Sequence, residues 1–179
     1  STNKKVILYA PTFRDYAKEG ADCVMNIPFD LRKWQEAMDD KYVLLMRAHH
    51  AVAKSLNIQE NDFIKDVSVY PHLNDLMIAS DMLVSDYSSI FFDYAIQGKP
   101  MFCFAYDYDE YKRERGMYFD IREELDNMGL DTEDKLISAI VNMDEEDRIA
   151  ITKRFRDKYV EKYGSASKDT LDLIYNAIK

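Results

Sequence analysis

Glycine and proline are scarce in this sequence. Its 179 residues include five glycines and four prolines, fewer than a typical globular domain contains. These counts exclude a collagen-like repeat, a glycine-serine linker and a proline-rich segment. None of the glycines occurs in a G-x-G-x-x-G or P-loop pattern, so the usual glycine-rich phosphate loops are absent. A phosphate site in this chain has to be built by other means.

Long apolar runs and an excess of positive charge are also missing. No apolar run approaches the about 20 residues that cross a bilayer. Acidic residues outnumber basic ones by 33 to 24, which gives a formal net charge of −9. A nucleic-acid binder and a polybasic membrane surface both need the opposite balance. We therefore expect no nucleic-acid partner, and a membrane contact only through other parts of a larger protein.

Cysteine and histidine are too few for a disulfide framework or a zinc site. The two cysteines, Cys23 and Cys103, lie far apart and lack zinc-ligand spacing. Cys103 lies in the apolar segment 101–104, which predicts a buried structural thiol in a reducing compartment. Of the three histidines, His49 and His50 are adjacent, and neighbours in an extended segment point to opposite sides. We therefore predict no metal site.

Short apolar strands alternate with helix-like segments along the chain. The polar start 1–5 has no Met and no signal-peptide pattern, so we expect a fragment cut at a domain boundary. The alternation predicts an α/β fold, a Rossmann-like parallel sheet with helices on both faces. Asp30 and Thr132 are predicted N-caps, and Gly98 is a predicted helix stop. The predicted strands cover residues 6–10, 42–47, 63–69, 82–84 and 100–105, the predicted helices cover 31–38, 73–79, 90–97, 109–115, 132–143, 145–163 and 167–178, and residues 16–27 and 118–121 are irregular.

The predicted helices and strands divide the chain into a lobe and a tail. We expect residues 1–144 to form the Rossmann-like lobe, and residues 145–179 to form a helical tail that packs on the lobe or crosses from it. Ligands of open parallel sheets bind beyond the carboxyl ends of the strands. The candidate site therefore lies at residues 11–15, 47–50, 85–89 and 105–109.

The segment 85–89 joins a predicted strand to a predicted helix and ends in Ser88 and Ser89. Free backbone N–H groups in the first turn of a helix carry roughly half a positive charge. Together with the two serine hydroxyls they could hold a phosphate without lysine or glycine. Taken alone, however, the segment favours the simpler interpretation that Ser88 and Ser89 only cap the helix.

Three further residues at strand ends are candidates for anion binding. Arg47 and His49 share one side of an extended segment, where a guanidinium and an imidazole could face a pyrophosphate. The alternative for Arg47 is a structural ion pair. Arg14 follows the first strand and is a third candidate, although by itself a surface arginine is the simpler interpretation.

Acidic residues near the same strand ends also have two interpretations. Asp86 and Asp93 are two helical turns apart along one face. This spacing suits the carboxylate pair of a retaining glycosidase, and it equally suits a cap together with an acid that binds ribose or an amide. Asp107 and Asp109 begin the charged run 107–115, which is typical of a solvated helix start.

Several segments, taken in order, resemble one enzyme family. They are residues 8–15 (LYAPTFRD), 47–49 (RAH), 80–94 (SDMLVSDYSSIFFDY) and 104–107 (FAYD), followed by Tyr111, Arg115, Gly116 and Tyr118. In this combination the sequence resembles the CDP-glycerol:poly(glycerophosphate) glycerophosphotransferase family of teichoic acid synthesis, over nearly the whole chain. Two departures are His50, where the family usually has proline, and residues 162–167, which lack the family's Asp-Gly.

The resemblance implies a GT-B architecture, in which two Rossmann-like lobes face each other across a cleft. This chain would be the C-terminal, donor-nucleotide lobe of a polymerase or primase type of enzyme. CDP-glycerol or CDP-ribitol would be the donor, and a polyol phosphate would pass to a teichoic-acid-like acceptor with release of CMP. The acceptor would bind through an N-terminal lobe, without which we expect no turnover. The enzyme would be cytoplasmic and peripheral on the inner face of a bacterial membrane.

The resemblance also assigns roles to residues of this chain. His49 and Arg47 are the implied catalytic residues. No cofactor is implied beyond the donor, and Mg²⁺ stays open. Two alternatives remain, a GT-B glycosyltransferase lobe that uses a nucleotide sugar for capsule or cell-wall glycan, and a non-enzymatic α/β interaction module. The implied donor-binding residues are Thr12, Arg14, Asp86, Ser88, Ser89 and Asp93.

Overall fold

A computed structural model of the chain describes residues 3–14, 16, 18–19, 22–23, 27–49 and 58–178. Side chains are described throughout these ranges except at residues 18–19 and 22–23. His50 and Asp15, which the sequence analysis named, lie outside the described residues.

Within these ranges the chain forms seven strands, of which five build one parallel sheet. The strands are β1 (Lys5–Tyr9), β2 (Lys18–Glu19), β3 (Asp22–Cys23), β4 (Tyr42–Met46), β5 (Ile64–Asp66), β6 (Met82–Ser85) and β7 (Met101–Cys103). The sheet order is β5-β4-β1-β6-β7, with β2 and β3 paired separately. In the middle strand, Ile7 is in register with Leu44 of β4 and Met82 of β6. The predicted parallel sheet is confirmed.

Helices connect the strands and cover both faces of the sheet. The described residues contain α1 (Leu31–Met38), α2 (Leu73–Ala79), α3 (Ile90–Ala95), α4 (Tyr108–Arg115), α5 (Ile121–Glu124), α6 (Glu133–Val141), α7 (Glu145–Tyr159) and α8 (Ala166–Ala177). The burial of β1 explains the arrangement, because Ile7 and Leu8 are both fully buried although they point to opposite faces. A strand buried on both faces needs a helical layer on each side.

The two faces have separate cores. On one face Leu8 of β1 lies in a cluster with Phe91 of α3 and Phe155 of α7. On the other, Ile7 lies with Trp34 of α1 and Leu136 of α6. The predicted helices on both faces are confirmed. The buried position of Cys103 in β7 also confirms the predicted structural thiol, and burial raises the pKa of that thiol well above its usual value.

The predicted helix ends are only partly correct. The Asp30 side chain accepts a hydrogen bond from the Arg32 N–H at 2.8 Å, so this cap is confirmed. Thr132 occupies the N-cap position of α6, as predicted, but its side chain makes no capping hydrogen bond there. Gly98 adopts a left-handed φ of 66° after α3 ends, which confirms the predicted stop.

Three short elements differ from the prediction. β2 and β3 form a small antiparallel pair within 16–27, and α5 begins at Ile121, at the end of a segment expected to be irregular. Elements of two to four residues are too short to show a hydrophobic period. β5 is shorter than the predicted strand 63–69, because the chain turns at residues 68–69. The Val67 N–H still donates to the Met46 carbonyl of β4 at 2.9 Å, and the Tyr70 N–H closes the turn on the Val67 carbonyl at 3.1 Å.

The two helices of the predicted tail differ in how they contact the lobe. In α7 the side chains of Ile151 and Phe155 are buried, and the Phe155 ring lies 5.3 Å from the Phe92 ring of α3. None of the residues of α8 is buried, and Leu173 is 72% exposed. The division into 1–144 and 145–179 stays a prediction. Within the described ranges no helix combines the length and the apolar character needed to cross a bilayer.

Candidate functional site

The loops that follow the parallel strands meet at the carboxyl edge of the sheet. Main-chain hydrogen bonds continue past the strand ends, from Arg47 N–H to the Tyr9 carbonyl at 2.8 Å and from Phe104 N–H to the Ser85 carbonyl at 2.7 Å. Because neighbouring strands stay aligned to this point, their loops lie side by side. The described parts of the predicted site segments, residues 11–14, 47–49, 85–89 and 105–109, are therefore at one edge.

Arg14 is buried, although a surface position was the simpler expectation for it. The residue is 5% exposed. Its Nε lies 2.8 Å from Oδ2 of Asp107, and its Nη2 lies 3.0 Å from Oδ1 of Asp107 and 2.9 Å from Oδ2 of Asp86. Burial alone would lower the pKa of the guanidinium, but the hydrogen-bonded Asp107 and the nearby Asp86 raise it above its usual value. The surface interpretation of Arg14 was wrong.

Asp86 joins the loop after β6 to the loop after β1. The residue is 2% exposed, and its Oδ1 accepts hydrogen bonds from the N–H groups of Thr12 at 2.8 Å and Tyr87 at 2.7 Å. The hydroxyl oxygen of Thr12 is buried and has no hydrogen-bond partner among the described residues. A buried polar atom without a partner is costly in a protein, so Thr12 stays a candidate for ligand contact.

The proposed relation between Asp86 and Asp93 does not exist. Asp86 lies before the first turn of α3, which begins at Ile90, whereas Asp93 lies within α3 and is exposed. The two carboxylates therefore share no helical face, and Asp86 is paired with Arg14 instead. The interpretation of these residues as a glycosidase-like carboxylate pair was wrong.

Ser88 and Ser89 occupy the start of α3, as expected. The Ser88 hydroxyl oxygen accepts a hydrogen bond from the Ile90 N–H at 3.2 Å, which is the capping role considered above. Ser89 is exposed, and its side chain makes no capping bond. A hydroxyl that accepts one bond can still donate its hydrogen, so capping by Ser88 is compatible with phosphate binding. The phosphate role of both serines stays a prediction.

Arg47 holds the main chain of the loop after β5. Its Nη1 donates to the carbonyl oxygens of Val67 at 2.9 Å, Ser68 at 2.6 Å and Tyr70 at 2.7 Å. These partners are main-chain carbonyl groups, whereas the structural alternative named in the sequence analysis was an ion pair. The observed contacts give Arg47 a structural task, and its catalytic role stays a prediction.

His49 contacts the other neighbour of β4. Its side chain is exposed, and its ring stacks on Phe13, with centroids 5.1 Å apart and planes at 16°. Phe13 follows β1, whereas the loop held by Arg47 follows β5, and β4 lies between these strands. The two side chains expected to share one side of the chain therefore contact loops on opposite sides of β4.

Sequence reasoning missed a group of residues around Arg14. Asp107 was expected to be solvated, yet its side chain is 13% exposed and paired with Arg14. The carbon at the centre of the guanidinium lies 5.1 Å from the ring of Tyr87, 4.9 Å from that of Tyr111 and 5.5 Å from that of Tyr106. The available signal was that an arginine and two aspartates follow three neighbouring strands.

A cleft opens beside the start of α3. Its volume is about 390 Å³, in the range of small-molecule sites. The described residues contain no cluster of three or more His, Cys, Asp and Glu side chains that could hold a metal ion. That the whole chain has no metal site stays a prediction. The cleft is lined by Tyr87, Ser88, Ser89, Phe92, Tyr111, Gly116, Met117, Tyr118, Phe119 and Ile121.

The fold and the position of the site define the class of protein. A parallel sheet in this order, with helices on both faces and polar loops at its carboxyl edge, is a Rossmann-like lobe of the GT-B type. The profile of the CDP-Glycerol:Poly(glycerophosphate) glycerophosphotransferase family matches residues 1–176. The chain belongs to this family, which confirms the resemblance seen in the sequence.

Individual relatives are named for teichoic acid synthesis. The chain is 42% identical over 146 residues to a teichoic acid glycerol-phosphate transferase of Staphylococcus aureus, covering 80% of this chain and 37% of the relative. It is 33% identical over 176 residues to a teichoic acid glycerol-phosphate primase of Bacillus subtilis, covering 98% and 44%. The chain thus spans less than half the length of these relatives. A family of transferases does not support the alternative of a non-enzymatic module.

Solved structures agree with this assignment. The wall teichoic acid polymerase TagF matches with a TM-score of 0.83 and 34% identity, over 99% of this chain and 45% of the TagF chain. The Staphylococcus aureus MnaA-UDP structure matches with a TM-score of 0.55 and 14% identity, over 98% and 47%. The second match supports the fold alone.

Proposed function

We propose that this chain is the donor-binding lobe of an enzyme that transfers a polyol phosphate from CDP-glycerol or CDP-ribitol to a teichoic-acid-like acceptor and releases CMP. The observation that carries the proposal is the family match over residues 1–176. Relatives include both glycerol-phosphate and ribitol-phosphate primases. A TagF variant soaked with CDPG also matches, with a TM-score of 0.81 and 34% identity over 99% of this chain and 43% of the TagF chain.

The carboxyl edge supplies groups suited to this reaction. An acceptor hydroxyl oxygen forms a bond to the β-phosphorus, the bond from that phosphorus to the oxygen of CMP breaks, and the hydroxyl proton passes to a base. Positioning and charge stabilisation are the main needs of phosphoryl transfer. His49 is exposed at this edge and can donate an N–H to a phosphate oxygen. The hydroxyl groups of Ser88 and Ser89 can donate from the start of α3.

Other participants follow from the same proposal. The acceptor and the base that deprotonates it belong to parts of the enzyme beyond this lobe. No resident cofactor is needed for the transfer, and Mg²⁺ could neutralise the diphosphate through its own oxygen ligands. We place the enzyme at the inner face of a bacterial membrane, where a peripheral contact is made outside this lobe.

Calorimetry on the full-length protein that carries this chain tests the proposal. We expect CDP-glycerol or CDP-ribitol and CMP to bind, and UDP-sugars to bind at least about tenfold more weakly, a difference of about 1.4 kcal/mol. His49→Ala and the double variant Ser88→Ala/Ser89→Ala should weaken cytidine-nucleotide binding. Thr170→Ala on α8, whose hydroxyl donates to the Ala166 carbonyl, is the control.

Two results would count against the proposal. Absence of cytidine-nucleotide binding by the folded full-length protein contradicts it directly. A clear preference for UDP-sugars instead favours the alternative of a GT-B glycosyltransferase that makes capsule or cell-wall glycan.

A further inference from the structure

A buried polar cluster ties together three loops at the carboxyl edge. We call it the Arg14 cluster, and it consists of Arg14, Asp86, Tyr87 and Asp107. The side chains of Arg14, Asp86 and Asp107 are 6%, 2% and 13% exposed. Arg14 follows β1, Asp86 and Tyr87 follow β6, and Asp107 follows β7. The cluster therefore fixes three neighbouring loops relative to one another.

Asp107 makes the contacts that join these loops. Its Oδ2 accepts from Nε of Arg14 at 2.8 Å, and its Oδ1 accepts from Nη2 of Arg14 at 3.0 Å. The same Oδ1 accepts from the hydroxyl of Tyr87 at 3.0 Å. Burial and the Asp107 carboxylate raise the pKa of Tyr87 above its usual value, so the hydroxyl remains a donor. Charge-assisted, two-pronged contacts of this kind are strongly directional.

The Tyr87 side chain connects the Arg14 cluster to the cleft beside α3. Its ring stacks on Tyr111 with centroids 4.1 Å apart and planes at 28°, and it lines the cleft together with Ser88 and Ser89. Because the two serines follow Tyr87 directly in the chain, a fixed Tyr87 side chain restricts where their hydroxyl and N–H groups can lie.

The charges of the cluster indicate that it supports the site and does not itself bind a phosphate. The single guanidinium of Arg14 is paired with the two carboxylates of Asp86 and Asp107. It therefore has no uncompensated positive charge to offer a diphosphate. Its hydrogen bonds are also engaged, since Nη1 donates to the Thr12 carbonyl at 2.6 Å.

We propose that Asp107 is a positioning residue for donor binding, and that it acts through the hydroxyl of Tyr87 to hold Ser88 and Ser89 in the orientation that receives the donor diphosphate. This inference rests on the proposed function. A site that is ordered before binding loses less conformational entropy when the ligand arrives. Loss of the Tyr87 hydroxyl should therefore weaken donor binding and leave the fold in place.

The test compares Tyr87→Phe and Asp107→Asn with the wild type in the full-length protein. Tyr87→Phe removes one hydrogen bond to a charged group, and we expect the Kd and KM for CDP-glycerol to rise about tenfold. The kcat should stay within about threefold, because the groups that contact the reacting atoms remain. The unfolding midpoint of Tyr87→Phe should fall by no more than about 10 °C, so the variant stays folded under the assay conditions. Asp107→Asn should raise KM further, since it also weakens the contact with Arg14.

Matched controls lie at the opposite edge of the sheet. Tyr42→Phe removes a hydroxyl at the start of β4, and Asp81→Asn changes a carboxylate that accepts from the Val6 N–H at 2.7 Å. Both should leave the KM for CDP-glycerol unchanged. If Asp107→Asn does not fold, Tyr87→Phe alone decides.

An unchanged KM in folded Tyr87→Phe overturns the positioning role while the proposed function stands. A fall in kcat with unchanged KM also overturns it, because the hydroxyl then acts on the chemical step. If the wild-type protein neither binds nor uses CDP-glycerol or CDP-ribitol, the proposed function fails, and this inference fails with it.

Discussion

The ring of His49 lies stacked on the ring of Phe13, with centroids 5.1 Å apart and ring planes 16° from parallel. The two residues follow β4 and β1, which are neighbours in the sheet. The stack limits the rotation of an otherwise exposed imidazole. It gives a specific reason why aromatic character at position 13 matters for any role of His49.

Phe13→Ala should lower the kcat of the full-length enzyme with CDP-glycerol by about fivefold, because the imidazole then loses an aromatic contact of about 1 kcal/mol that helps to orient it. Phe13→Tyr keeps the ring and should stay close to wild type. The measurement is the steady-state release of CMP. Equal activity of the alanine and tyrosine variants would show that the stack does not orient His49.

Arg47→Ala should destabilise the protein by about 2–3 kcal/mol, because the loop after β5 loses three hydrogen bonds from a charged donor. Arg47→Lys should lose less, since an ammonium can still donate to some of them. Urea unfolding measures both changes. The control is Arg154→Ala, whose partner in an exposed ion pair is Asp126 and which should cost less than about 1 kcal/mol.

The Arg47→Lys variant also separates structure from chemistry. If its stability is near wild type and its kcat falls sharply, Arg47 contacts the donor in addition to holding the loop. An Arg47→Ala variant as stable as wild type would contradict the structural role.

The ion pair of Asp120 and Arg122 should make the free energy of unfolding depend on pH under acidic conditions. Hydrogen bonds from the Arg122 side chain lower the pKa of Asp120 to about 2. The folded state thus favours the carboxylate, so this stabilisation is complete above the usual pKa of 3.8 and is lost as the pH falls toward 2. Between about pH 5 and pH 2 the wild type should lose about 1 kcal/mol more than Asp120→Asn, allowing for solvent screening.

Thermal unfolding of both proteins across this range measures the difference. Parallel curves for wild type and Asp120→Asn would mean that the pair contributes nothing to acid sensitivity.

Gly116→Ala should destabilise the protein by about 1–3 kcal/mol, although the added Cβ would meet no atom within 4 Å. Gly116 ends α4 with φ 71° and ψ 168°, a region that is essentially restricted to glycine. The cost therefore comes from the backbone alone. Glu114→Ala, at an exposed position of the same helix, should change the free energy of unfolding by less than about 0.5 kcal/mol. Equal stability of the two variants would contradict the backbone argument.

Much of the fold could be predicted because the main strands are buried on both faces. Segments such as residues 6–10 and 42–46 are continuous apolar runs, which is typical of the centre of a parallel sheet. The pair β2 and β3 could not be found this way, since two residues contain no period. Thr132 shows the same limit for caps, because residue type suggests a cap but local geometry decides whether the side chain bonds.

The position of the site could also be predicted, but the partners within it could not. Strand ends placed Arg14, Arg47 and Ser88 at one edge. Arg14 is bonded to side chains 72 and 93 residues away in the sequence, and no local pattern contains that information. The exposure of Asp107 was predicted wrongly for the same reason. A run of charged residues normally indicates a solvent-exposed helix start, and the local sequence does not show that Arg14 contacts this aspartate.

The order of the strands bears on how the lobe is made in the cell. β1 is synthesised before the other strands of the sheet, yet it ends in the middle, between β4 and β6. Until β6 has been synthesised, the edge of β1 that later pairs with β6 has no partner strand. Unpaired strand edges promote association with other chains. Nascent lobes should therefore depend on chaperones until β6 emerges, and heat during translation should reduce yield more than heat applied afterwards.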